Sequence, residues 1–303
     1  MHLDASGMAM LAECPYRWYT RYVENLVPVQ TKTTAADKGT IGHRVLDCYY
    51  RMRAQDGNPL LILPQINAAI EQEFKVNELK EEFANTIPKD DEYWEILPMR
   101  LILYAFKYTK DFSILKNEKG DPGIELGFSK VLYEDDRYLF IVDGRIDVLA
   151  MTGGIKLFMD HKFQTRRRTL YGPSTQFMTY AWATGFDRCA INYISLVKTF
   201  DRNNTFRREI QYFSETRLRL WEIQMMEYFR TATSILEIGP SAHRKLSACG
   251  GHWNSNKCGY TPICEAAVDG RTELMPLIKI QNYKKQVWEP WKLAEEEEEH
   301  GDS

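Results

Sequence analysis

The sequence predicts a mixed α/β fold, a central sheet with a helical lobe on its N-terminal side. Three observations predict it. Apolar residues recur at helical spacing through the first third of the chain. From Ile124 onward they give way to runs of β-branched and aromatic residues, broken at Thr152-Gly153-Gly154. Beyond that turn, helix-like and strand-like stretches alternate.

Leu11, Tyr16, Tyr19 and Val23 have helical spacing, as do Ile41, Val45, Leu46 and Tyr49, with Thr40 as the expected cap of a helix that carries His43 in its first turn. The pattern continues over Ile66 to Phe83 and Tyr93 to Phe112, punctuated by Pro88 and Pro98. It changes near Asp121-Pro122-Gly123. Ile124 to Tyr133, Tyr138 to Met151 and Ile155 to Lys162 read as three antiparallel strands, the last two joined by the glycine turn. A helix over Pro173 to Thr184, strands over Ala190 to Val197 and Phe206 to Tyr212, and a long helix over Glu215 to Ile238 follow. No internal repeat is evident.

A chain of 303 residues, 44% hydrophobic and 27% charged, can bury a substantial core as an ordinary soluble protein. Its net charge of −3 conceals a segregation: Glu295, Glu296, Glu297, Glu298, Glu299 and Asp302 supply six acids, so the rest carries −3 + 6 = +3. A mildly basic body permits an anionic partner, and the acidic tail over 291–303 is expected to be disordered. No apolar run reaches the roughly 18 residues of a membrane span and no apolar leader follows Met1, so the expectation is a cytoplasmic protein without a membrane partner. Six cysteines in a reducing compartment point to metal where they cluster.

The segment Met159-Asp160-His161-Lys162 ends an apolar strand with charge. Side chains alternate along a strand, so Asp160 and Lys162 project together and His161 points away. In isolation the pair is a strand-end salt bridge. On the preceding strand, however, Asp147 lies at a comparable distance from the hairpin turn, so the two carboxylates come to one end of the sheet. Such a pair repels itself and favours a divalent cation. Carboxylates holding a metal beside a lysine are what metal-assisted phosphodiester hydrolysis requires.

Asp147, then Asp160-x-Lys162 across a hairpin, resembles the core of the PD-(D/E)XK nuclease superfamily, with Ile146 where the superfamily's name has proline. Gly39-Thr40-Ile41-Gly42-His43 resembles the G-T-x-x-H of its RecB-like exonuclease branch, which includes CRISPR-adaptation and phage recombination exonucleases, and Gln176-Phe177-Met178-Thr179-Tyr180 resembles the Q-x-x-x-Y of that branch. The resemblance implies a mixed central sheet of the nuclease type, a single domain over 1–290 and a helical insertion at about 50–115. It makes His43, Asp147, Asp160 and the backbone carbonyl of His161 ligands of Mg²⁺ or Mn²⁺, with Glu125 as an outer acidic ligand. Lys162, Gln176 and Tyr180 join Asp147 and Asp160 as the catalytic set. Arg166, Arg167 and Arg168 follow and are placed to contact phosphates.

Cys249, Cys258 and Cys264 stand near the C-terminus, and Cys14 opens Cys14-Pro15-Tyr16-Arg17-Trp18. One N-terminal C-P-x-x-aromatic cysteine with three C-terminal ones, the last two separated by five residues, resembles the iron–sulfur arrangement of the RecB-like nucleases and implies a [4Fe–4S] cluster. The eight residues between Cys249 and Cys258 depart from it, where many relatives have two. Zinc on the same thiolates, or with His252 in place of one, is the competing reading. Cys48 and Cys189 fall in apolar segments as buried thiols.

The expected activity is metal-dependent exonucleolytic hydrolysis of single-stranded DNA or DNA ends, in recombination, repair or DNA processing. The alternative is an accessory DNA-binding subunit serving a helicase, recombinase or integration complex. A phage-encoded member would act in the host cytoplasm.

Overall fold

In chain order the elements of the computed structural model are β1 (His2–Asp4), α1 (Ala5–Glu13), α2 (Pro15–Trp18), β2 (Leu26–Pro28), α3 (Thr34–Ala54), α4 (Tyr93–Lys107), β3 (Ser113–Ile114), β4 (Ile124–Glu134), β5 (Leu139–Thr152), β6 (Ile155–Gln164), α5 (Thr175–Thr184), β7 (Arg188–Ser195), β8 (Phe206–Tyr212), α6 (Glu215–Ile238), α7 (Thr261–Val268), α8 (Met275–Asn282) and β9 (Tyr283–Lys285). The structure describes residues 1–29, 34–55, 80–81, 87–108, 110–117, 119–164, 174–199, 201, 204–240, 245 and 258–289. Most of the expected helix over Ile66 to Phe83, and the acidic tail, lie outside them. The chain divides into two units, one of Lys32–Leu126 with Arg145–Glu215, the other of Met1–Thr31, Gly127–Gly144 and Thr216–Ser303.

The first unit is built on the glycine turn. Gly153 and Gly154 have φ of 54° and 79°, values open to glycine at little cost, so the chain reverses tightly and β6 returns antiparallel to β5 from Thr152↔Ile155 to Val148↔Met159. α5 then supplies the crossover that lets β7 run parallel to β6, and β8 pairs antiparallel to β7. The result is the mixed sheet expected from sequence. One face of it, through Val148, Ala150, Leu157, Met159, Ala190 and Ile194, packs on Ile41, Val45, Leu46 and Tyr49 of α3 and on Leu97, Leu101 and Tyr104 of α4.

One helix start differs from expectation, and Pro98 does not interrupt its helix. α3 begins at Thr34, so Thr40 is an exposed interior residue and His43 sits in the third turn. Good helix formers upstream (Ala35, Ala36, Lys38) extend the helix past the expected cap. Pro98 lies inside α4. It removes a single backbone donor, and burial of Trp94, Leu97, Leu101 and Tyr104 along the same helix outweighs that loss.

In the second unit, β1 pairs parallel with the start of β5, from His2↔Ile141 to Asp4↔Asp143. Three residues are too few to show a period. Asp4 also caps α1, its Oδ1 accepting the Gly7 N–H at 2.7 Å. The expected first helix is broken at Cys14-Pro15 and ends in a π-turn over Tyr19–Val23. β2 pairs antiparallel with β9, and Cys14, Tyr16, Leu26, Tyr260, Ile263 and Tyr283 form one small core. No helix among the described residues is long and apolar enough to cross a membrane.

Candidate active site

The β5–β6 ladder stops at Val148↔Met159. One step on, the Asp147 carboxylate takes the place of a ladder acceptor: its Oδ2 accepts the backbone N–H of His161 at 2.7 Å. Asp147 is thereby fixed where the two strands part.

Asp160 and Lys162 project together, as alternation requires. Asp160 is 1% exposed, and the Lys162 ammonium lies 2.9 Å from its Oδ2 and 3.1 Å from its Oδ1. Ser174 caps α5 by accepting the Phe177 N–H, and the i, i+4 spacing brings Gln176 and Tyr180 to one face. Lys162 can only donate, so it turns the Gln176 amide oxygen toward itself, at 3.0 Å. The amide nitrogen then donates to Asp160 Oδ1 at 3.1 Å and to the Tyr180 hydroxyl at 3.2 Å. Burial raises the Asp160 carboxyl to about 6, against the opposing pull of Lys162. Burial disfavours the Lys162 cation, but the Asp160 and Asp147 carboxylates outweigh it and raise its pKa. Asp160 Oδ2, although close to the ammonium, makes no well-directed hydrogen bond and is buried.

His43 comes from α3. A Cβ at Gly42 would overlap the Phe163 ring of β6, so the glycine is what lets the helix approach the strand. His43 Nδ1 then lies 3.4 Å from Asp147 Oδ2 and 4.0 Å from Glu125 Oε1. One ligand atom from each of these three residues lies within 4.8 Å of the others. Glu125 has φ of 47°, a left-handed conformation uncommon for glutamate. Burial, then the Asp147 and Asp47 charges, raises its carboxyl to about 8. Two carboxylates and an imidazole form a donor set that can hold a divalent cation. The residues therefore fit a divalent cation.

The catalytic and divalent-metal ligand side chains expected from sequence lie in one unit, but in two groups. His43, Glu125 and Asp147 gather as candidate ligands, whereas Asp160 turns to Lys162 and Gln176. Asp47, one turn beyond His43 and clamped by Arg51 Nε at 2.8 and 2.9 Å, was not anticipated. Its spacing from His43 was the available signal. Arg166, Arg167 and Arg168 lie outside the described residues, as do Cys249 and His252. Cys14, Cys258 and Cys264 line one cavity of about 190 Å³ with Tyr16 and Tyr260, although their sulfurs are not all within 4.8 Å of one another. Cys189 is buried and Cys48 half-buried.

Comparison with known proteins bears on the family to which the chain belongs. The family model of the PD-(D/E)XK nuclease superfamily matches residues 2–265. No curated protein sequence matches significantly. Solved structures that are similar include SSO0001, 14% identical over 53% of this chain and 70% of that one, with a TM-score of 0.28. Another is a candidate exonuclease from Eubacterium rectale, 10% identical over 77% and 82% of the respective chains, with a TM-score of 0.42. The family match takes in β4 to β8 together with α3 and α5, the elements that carry Asp147, Asp160, Lys162, His43 and Gln176, and the chain belongs to the PD-(D/E)XK nuclease superfamily.

Proposed function

We propose that the chain is a Mg²⁺- or Mn²⁺-dependent deoxyribonuclease of the RecB-like branch that hydrolyses single-stranded DNA or DNA ends. The carrying observation is the pair of side-chain groups at the parting of β5 and β6: His43, Glu125 and Asp147 on one side, Asp160, Lys162 and Gln176 on the other. A bound divalent ion would polarise the phosphoryl group and lower the pKa of water. His43, Glu125, Asp147 and Asp160 would hold it. Lys162, kept cationic by Asp160 and Asp147, steadies charge that develops on phosphate oxygens, and Gln176 and Tyr180 hold it in place. Arg166, Arg167 and Arg168 contact phosphates of the strand being cut. The family match over both units supports a single nuclease domain.

End-labelled single-stranded and duplex DNA, digested with Mg²⁺, Mn²⁺ or EDTA, tests the proposal. Cleavage that requires metal and proceeds from ends is the expected result, and intact DNA under all metal conditions overturns it.

Cys14, Cys258 and Cys264 sharing one cavity supports their role, with Cys249, as ligands of a [4Fe–4S] cluster. Anaerobically purified protein should then be brown, with iron and acid-labile sulfide in equal amounts. Colourless protein with stoichiometric zinc would overturn the cluster without touching the nuclease.

A further inference from the structure

His161 stands between Asp160 and Lys162, yet its ring is sealed on the opposite face, 1% exposed. Tyr50 of α3 stacks on it at 5.2 Å, and Tyr104 of α4 meets it edge-on at 6.2 Å. Across the sheet His161 is in register with Asn192 of β7, and Asn192 with Arg208 of β8. Three polar side chains thus form a row across three strands. Arg208 donates through Nε to Asn192 Oδ1 and through its two terminal nitrogens to both oxygens of Asp111. The Asp111 side chain is itself fully buried, and the Tyr50 hydroxyl donates to it at 3.3 Å.

The row has only one consistent arrangement of donors. A guanidinium cannot accept, so Asn192 must present its oxygen to Arg208 and its amide nitrogen to His161, where Nδ2 lies 3.2 Å from Nδ1. Nδ1 is therefore the acceptor and the ring proton sits on Nε2. Nε2 has no hydrogen-bond partner among the described residues, so Nδ1 is the anchor. The same residue donates its backbone N–H to Asp147 Oδ2 at 2.7 Å.

We propose that Asn192 and Arg208 are positioning residues of the metal site, acting through His161: the row holds the imidazole, the imidazole holds its own backbone, and that backbone aims Asp147. The proposal rests on the nuclease reading. A buried ion pair such as Arg208–Asp111 adds little net stability over an apolar replacement. Groups that orient metal ligands from behind, by contrast, are worth roughly tenfold to a hundredfold in metal affinity or activity.

Three variants of the full chain test it: Asn192→Leu, the double variant Asp111→Leu/Arg208→Met, and Asn192→Asp. The double variant removes both charges, so neither is left buried and unpaired. Asn192→Asp keeps the shape but offers only acceptors. Mn²⁺ binding is followed by calorimetry, folding by thermal unfolding, and the imidazole by nitrogen-15 NMR of histidine-labelled protein. The wild type should show the Nε2–H tautomer. Asn192→Asp should place a proton on Nδ1, and the two apolar variants should melt near the wild type while binding Mn²⁺ about tenfold more weakly.

Wild-type affinity in all variants that fold, alongside weakened binding in Asp147→Ala, would overturn this proposal alone. An unmoved ring proton in Asn192→Asp would also overturn it. If the wild type binds no Mn²⁺, the nuclease reading falls and this one with it.

Discussion

The two faces of β6 treat polar groups in opposite ways, although the residues concerned are adjacent in sequence. Toward α5, Asp160 and Lys162 form a pair in which one carboxylate oxygen lacks a directed hydrogen bond and the lysine side chain is 37% exposed. Toward α3, His161 is 1% exposed and belongs to a row in which Asn192, Arg208 and Asp111 all have partners, while its own Nε2 has none among the described residues. The partly exposed face is the one that can exchange partners with a metal and a phosphate. The sealed face cannot, and its chemistry is confined to holding geometry.

The sharpest way to break that contrast is to remove the reactive pair. Asp160→Ala and Lys162→Ala should each lower single-turnover cleavage by on the order of a hundredfold to a thousandfold or more. Only Asp160→Ala should also weaken Mn²⁺ binding, because a ligand and a cation play different parts. Near-wild-type turnover in either variant would remove the proposed site.

The arginine run follows the same strand in sequence. Replacing Arg166, Arg167 and Arg168 with alanine should weaken DNA binding similarly across sequences and flatten its salt dependence, by close to one unit of slope for each phosphate that is no longer neutralised. A slope that does not change would make the run a solvated surface.

A smaller effect sharpens the electrostatics. Asp160 and Glu125 are raised to about 6 and about 8, chiefly by burial, so the folded metal-free chain holds protons that the unfolded chain releases near the ordinary carboxylate value of about 4. Their contribution to stability is fully present below that value and is lost as pH rises through about 6 and then about 8. Mn²⁺ affinity runs the other way, strengthening over the same window as the carboxylates deprotonate. Paired melting and calorimetric titrations across this range check both signs. An affinity that does not vary with pH would show that the two carboxyls titrate in their usual range.

The least disruptive test compares two glycines of one motif. Gly42→Ala should cost about 1–3 kcal/mol through overpacking against Phe163. Gly39→Ala, with open space around its Cβ position, should be neutral or stabilising by up to about 1 kcal/mol through helix propensity. Equal melting temperatures would contradict the assignment of Gly42 as the residue that admits α3 to the sheet.

Much of the fold was legible because local patterns carried it. The strands around Gly153-Gly154, the helix ending at Thr184 and the strand Phe206 to Tyr212 follow from period and turn chemistry. Thr40 misled because a capping residue type also occurs inside helices, and β1 was missed because three residues show no period. At the site, Asp147, Asp160 and Lys162 were visible as spacings along strands, and His43, Gln176 and Tyr180 through the motifs that resemble those of RecB-like nucleases.

The sequence by itself determined which residue types stand at the end of the hairpin and which of them share a face, since alternation along a strand and the turn of a helix are local properties of the backbone. Tertiary structure decided the rest. Glu125 joins His43 and Asp147 because α3 comes close enough to β6 over Gly42 to bring the histidine to them. Asn192, Arg208 and Asp111 become a row only through the registers of β6 with β7 and β7 with β8. Register and helix approach depend on side chains far apart in the chain meeting in a packed core, and no local pattern encodes that meeting.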